Sequence, residues 1–141
     1  MYQKILIAGN LGRDPELRYA PSGSQVTTFS LATNRRYTSS SGEQVEETIW
    51  FRISAWNRLA EICAEHLKKG SKVLVEGRLQ PDLSTGGPRI WTDQSGSPRA
   101  SFEVTANTVQ FLSSRQAENG EAGAGGAGEF VPETEAEDVP F

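Results

Sequence analysis

What most constrains this chain is a recurrence. The runs "KILIAGNLG" (4–12), "QVTTFSLAT" (25–33), "ETIWFRISAW" (47–56), "SKVLVEGRL" (71–79) and "SFEVTANTVQF" (101–111) are short and rich in β-branched and aromatic residues, which suit a pleated, half-buried surface. The breaks between them carry Asp14-Pro15, Pro21-Ser22-Gly23, Ser41-Gly42, Gly86-Gly87-Pro88 and Ser95-Gly96, residues that preset or permit turn dihedrals. One segment changes period. Over 57–69, Leu59, Ile62, Cys63 and Leu67 fall on one helical face, Asn57 is placed to cap the start, and Lys68, Lys69 and Gly70 suit the end.

About five strands with one helix between the third and fourth predict an all-β domain over 1–112. The order suits a five-stranded Greek-key barrel of the oligonucleotide/oligosaccharide-binding (OB) type with extended hairpins, whose exposed strand face grips a ligand. The third run shows where. Side chains alternate along a strand, so Ile49, Phe51, Ile53 and Ala55 share one face and Thr48, Trp50, Arg52, Ser54 and Trp56 the other. The first set reads as core. The second pairs two tryptophans with an arginine, and a one-residue slip would bury Arg52 and expose the aliphatics. Tyr37 follows Arg35 and Arg36, and Trp91 lies near Arg89 in a long hairpin. Rings interleaved with cations suit single-stranded nucleic acid, because every base offers a π-face and every phosphate needs a counter-charge.

The whole-chain charge of −4 conceals two opposite regions. All 14 Lys and Arg lie in 1–115 against 11 acids, a net +3, whereas 116–141 holds 7 acids and no base. From about 113 to 134 the chain is rich in Gly, Ala and Glu, too poor in apolar residues to offset the entropy of ordering, and is expected to be a disordered linker. The acidic end 135–141 then closes on Glu137, Asp138, Val139, Pro140 and Phe141. A terminal aromatic with its carboxylate and flanking acids is suited to an apolar pocket rimmed by Arg or Lys on a partner protein.

Other chemistries find little support. The single Cys63 excludes an internal disulfide, and with His66 alone nearby no metal-ligand spacing arises. "GNLG" (9–12) completes neither phosphate-loop pattern. No recognition helix or zinc-finger spacing points to duplex reading. An enzyme is not expected, nor a cofactor or metal. With no signal-peptide pattern and no run of eighteen apolar residues, the expected location is cytoplasmic with no membrane partner.

The stretches "KILIAGNLGRDPELRYAPSG", "FSLATN", "ETIWFRISAWNRLAEICAEHLKKGSKVLVEGRL", "WTDQSG" and the closing "DVPF" together resemble the bacterial single-stranded DNA-binding proteins. The resemblance spans nearly all of 3–111 and the last few residues. It implies an OB-fold homotetramer around which single-stranded DNA wraps, active at the nucleoid in replication, recombination and repair, with a C-terminal tip that recruits proteins of those processes. It places the stacking aromatics at Tyr37, Trp50, Trp56 and Trp91, and DNA-facing cations at Lys4, Arg58, Lys69 and Arg89. To these we add Arg13, Arg35, Arg52 and Lys72. Departures are Tyr37 where Trp is usual, Trp56 for Phe, Phe51 for His, Val139 for Ile, and a stretch between Gly77 and Trp91 longer by about a turn. An OB-fold replication-restart adaptor and a single-stranded RNA chaperone are the alternative readings, the latter because nothing identifies a reader of the 2′-hydroxyl.

Overall fold

A computed structural model describes residues 1–112; the linker and the tip with Glu137, Asp138, Val139, Pro140 and Phe141 lie outside the described residues. The elements are β1 (Ile5–Leu11), β2 (Glu16–Tyr19), β3 (Gln25–Thr38), β4 (Gln44–Trp56), α1 (Arg58–His66), β5 (Lys72–Leu79), β6 (Arg89–Thr92) and β7 (Pro98–Phe111). Strands β1, β5, β7, β4 and β3 pair in that order, and β1 returns to β3 through Asn10 opposite Ala32 and Leu11 opposite Leu31. That last pairing closes a five-stranded OB-fold barrel with one helix, as the sequence predicts.

The barrel fills with the alternate residues the runs supply: Ile7, Leu11, Phe29, Leu31, Ile53, Val73, Val75 and Val104 are buried together. Helix α1 plugs the assembly with Cys63 and, just past its end, Leu67. The buried Thr27 hydroxyl donates to the Ala60 carbonyl at 2.7 Å, so the polar group β3 carries inward is satisfied. Burial pushes the Cys63 thiol up to about 11, which keeps it protonated at neutral pH and removes it as a nucleophile. Closure demands a close backbone approach at Gly77, where β5 slips register against β7. A Cβ there would lie 2.2 Å from the Thr105 carbonyl oxygen, so only glycine fits this bend.

Three expectations need correction. Two short strands join the five: β2 pairs with β3 and β6 with β7, and all eight of their residues are exposed, so neither carried the buried alternation that marks a strand. Asn57 makes no side-chain cap; it takes φ 56° and ψ −123° at the corner between β4 and α1, a positive-φ conformation that favours glycine. Its backbone N–H instead donates to the Gln25 carbonyl at 2.9 Å. Ile49, placed on the core face, is exposed, because β3 and β4 run on past the barrel as a two-stranded ribbon with nothing beneath it among the described residues. Among the described residues, no helix is long and apolar enough to cross a membrane.

Candidate nucleic-acid interface

The ladder between β3 and β4 is continuous from Val26 opposite Trp56 to Thr38 opposite Gln44, so faces can be assigned by pairing. The outer face carries Trp50 opposite Ala32, Arg52 opposite Ser30, and Trp56 opposite Val26. Small neighbours leave both rings standing clear, with Trp50 54% and Trp56 40% exposed. They lie six positions apart along β4, roughly 20 Å at strand rise. Trp50 also approaches backbone: a Cβ on Gly12 would come within 2.5 Å of its Cζ3, so glycine there leaves room for the indole just past the β1 end.

Strand β7 runs parallel to β4, setting Phe51 beside Phe102 and Arg52 beside Glu103. The β6–β7 hairpin then brings Trp91, 43% exposed, to the same side as Trp50. Arg13, Trp50, Arg52, Trp91, Ser101 and Phe102 line one groove of about 380 Å³. The Trp91 Nε1–H donates to Ser101 Oγ at 2.8 Å, which anchors one edge of the ring and leaves its face presented. Arg99 pairs with Trp91 across the hairpin, and its Nε donates to Asp93 at 2.8 Å. Asp93 also accepts from Ser95 and Ser97; the Ser95 hydroxyl first, then Arg99, pull its carboxyl down to about 2. The hairpin tip is therefore held by a permanent anion at neutral pH.

The twelve sequence-predicted residues do not all meet. Trp50, Trp91, Arg13 and Arg52 gather in the groove, with Trp56 farther along the same face and Arg89 two residues before Trp91. Tyr37 does not share that face: it pairs with Val45, and Arg35 with Glu47, a residue off the Trp50 set. Its ring carries the Arg35 guanidinium 4.5 Å above it, and the outward cation at this level is Arg36, paired with Glu46. Lys4 lies across the barrel, bound to Glu76 at 3.0 Å, and that hydrogen bond first of all raises its pKa. Arg58 sits on α1 near Glu61, the Lys69 backbone donates to Asp14, and Lys72 opens β5.

Carboxylates already engage several of these cations: Arg35–Glu47 at 3.2 Å and Arg89–Glu103 at 3.5 Å join Lys4–Glu76. Arg13 and Arg52 make no ion pair among the described residues, though both add to the field that, after the Arg18 hydrogen bond, lowers the Glu16 carboxyl. Sequence reasoning missed Gly12, Ser101, Arg99 and Phe102. Only Phe102 left a trace, as the first apolar residue of the alternating "FEVTA".

The single-strand binding protein family model matches residues 2–112. A single-stranded DNA-binding protein of Wolinella succinogenes is 45% identical over 120 residues, covering 85% of this chain and 70% of the relative. One from Helicobacter hepaticus is 44% identical over 115 residues, 82% of this chain and 64% of the relative. Among solved structures, the Plasmodium falciparum SSB complex with ssDNA superposes with a TM-score of 0.65 at 27% identity, over 80% of this chain and 97% of that one. A deletion mutant of the Thermus aquaticus single-stranded DNA binding protein gives 0.61 at 27% identity, over 80% and 51%. A barrel of this topology, a family match across its whole length and relatives at this identity establish that the chain belongs to the single-strand binding protein family.

Proposed function

We propose that this chain binds single-stranded DNA with little sequence preference, by stacking bases on Trp50, Trp56 and Trp91 and countering phosphates with Arg13 and Arg52. The observation that carries this reading is the groove, which unites two exposed indoles with two cations that make no ion pair among the described residues, with Asp14 and Glu16 also on its wall. The relatives' name and the DNA in the Plasmodium complex point the same way. Stacking tolerates any base, which supports a role in covering exposed strands of any sequence. Arg89, Lys4, Arg35, Arg58, Lys69 and Lys72 form an outer ring of weaker contacts, several of which must first exchange a carboxylate for a phosphate. Tyr37 meets DNA where the strand crosses the edge of the ribbon.

Titration with an oligothymidine strand at several salt concentrations tests the phosphate half. Log affinity is expected to fall with log salt by roughly 0.7 per phosphate neutralised; a flat response would remove the cations from the site.

The same reading makes the chain a homotetramer whose linker (113–134) carries the tip, Glu137 to Phe141, to replication, recombination and repair proteins. A chain truncated after Ala136 should keep both its light-scattering mass and its DNA affinity while losing retention of such proteins on an affinity resin. Undiminished retention would place recruitment elsewhere.

A further inference from the structure

The cross-strand register sets a carboxylate on the face that carries the tryptophans. Glu16 pairs with Thr28, and Thr28 with Ser54; Arg18 pairs with Val26, and Val26 with Trp56. Residues directly opposite in a ladder share a face, so Glu16 and Arg18 stand outward with Trp50, Arg52 and Trp56. Leu17, between them, turns the other way with the buried Thr27 and Ala55. The row holding Glu16 lies between the rows of Arg52 and Trp56. A nucleic-acid strand running along β4 from the Trp50 groove to Trp56 therefore passes Glu16 two β-strands away, about 10 Å at sheet spacing. Glu16 also lines the groove itself, together with Arg13 and Arg52.

Two observations give this carboxylate a role. It is paired with Arg18 at 2.8 Å, and both side chains are more than half exposed, 56% for Glu16 and 63% for Arg18; an ion pair so open to water contributes little to stability and exchanges readily. It is also coupled to the cations of the groove. The Arg18 hydrogen bond first, then the charges of Arg18, Arg52 and Arg13, lower its carboxyl, and by the same coupling the carboxylate offsets part of the field that Arg13 and Arg52 present to a phosphate. The neighbouring acids are otherwise engaged. Asp14, on the same wall, accepts the Lys69 backbone N–H at 2.8 Å and so ties the chain after β1 to the loop after α1, and the Glu103 side chain is largely covered and paired with Arg89. Glu16 holds an exposed guanidinium beside the path of the strand.

We propose that Glu16 limits the affinity of the nucleic-acid face: it withholds Arg18 from the strand and offsets Arg13 and Arg52, so that each passing phosphate competes with a carboxylate and the strand stays exchangeable. Arg18 is then a latent phosphate contact, available once Glu16 loses its charge. The inference rests on the single-stranded DNA reading above and adds to it the residue that sets how tightly a strand is held.

The test uses the full chain and a dye-labelled oligothymidine strand, read by fluorescence anisotropy at several salt concentrations. Glu16→Gln keeps the length of an exposed side chain and removes its charge. It should tighten binding roughly fivefold at low salt and steepen the fall of log affinity with log salt by roughly 0.7, one more phosphate neutralised. Adding Arg18→Gln should abolish both changes. Glu65→Gln removes an equal charge from α1, away from this face, and should leave the slope as in the parent. If Glu16→Gln matches the parent while Trp50→Ala weakens binding, the inference falls and the DNA-binding reading stands. If Trp50→Ala is also silent, it is the DNA-binding reading that fails. A gain that survives Arg18→Gln would show that Arg18 is not the cation released, and one that Glu65→Gln reproduces would be an effect of overall charge; either result overturns the proposal.

Discussion

Replacing Trp50 and Trp91 together by alanine is expected to weaken binding to an oligothymidine strand by roughly 2–6 kcal/mol, two stacks at about 1–3 kcal/mol each. These two are chosen because the fold brings them to one groove from strands 41 residues apart in sequence. Each is partly exposed and is positioned by something other than the core: Trp50 by the close backbone at Gly12, Trp91 by its Ser101 hydrogen bond. Removing them leaves the barrel interior untouched, so the far-ultraviolet circular dichroism and melting temperature should hardly move. Trp56→Ala, farther along β4, should add a separate and smaller loss. Isothermal titration of the single and double variants checks this, and parent-like affinity in the folded double variant would exclude the groove as the binding face.

Ile53→Ala should destabilise the fold by roughly 2–5 kcal/mol, out of a total of about 5–15 kcal/mol for a typical domain. Ile53 has no exposed surface and pairs with Phe29 on one side and Val104 on the other. It sits where the antiparallel β3–β4 ladder meets the parallel β4–β7 ladder. A closed barrel collapses poorly around a lost side chain because its strands are tied on both edges, so most of the cavity should persist. Denaturant unfolding at fixed protein concentration measures it, as a lower midpoint with an unchanged slope. An equal fall from Ile49→Ala would contradict this placement, since Ile49 lies beyond the barrel on the exposed ribbon.

Much of this was legible along the chain because strand side chains alternate with period two. The inward set Ile53 and Ala55, the outward set Trp50, Arg52 and Trp56, and the single helix all follow from local pattern. The same rule, applied across the β3–β4 ladder, separates Tyr37 and Arg35 from Trp50 and puts Arg36 outward instead. That step needs the pairing register, which is a relation between two strands and is written in neither. Ile49 and Phe102 show the limit from another side: an apolar residue at the right parity is buried only if something lies over it, and β3, β4 and β7 outrun their cover. Ion pairing was likewise hidden, for Lys4 meets Glu76 across 72 positions of chain. By itself, then, the sequence determined the five long strands, the facing of each side chain within its strand, and the chemistry of stacking rings among cations. Tertiary structure decided which of those rings and cations meet, because barrel closure, the parallel β4–β7 pairing and the two glycine contacts are long-range steric facts that no local propensity encodes.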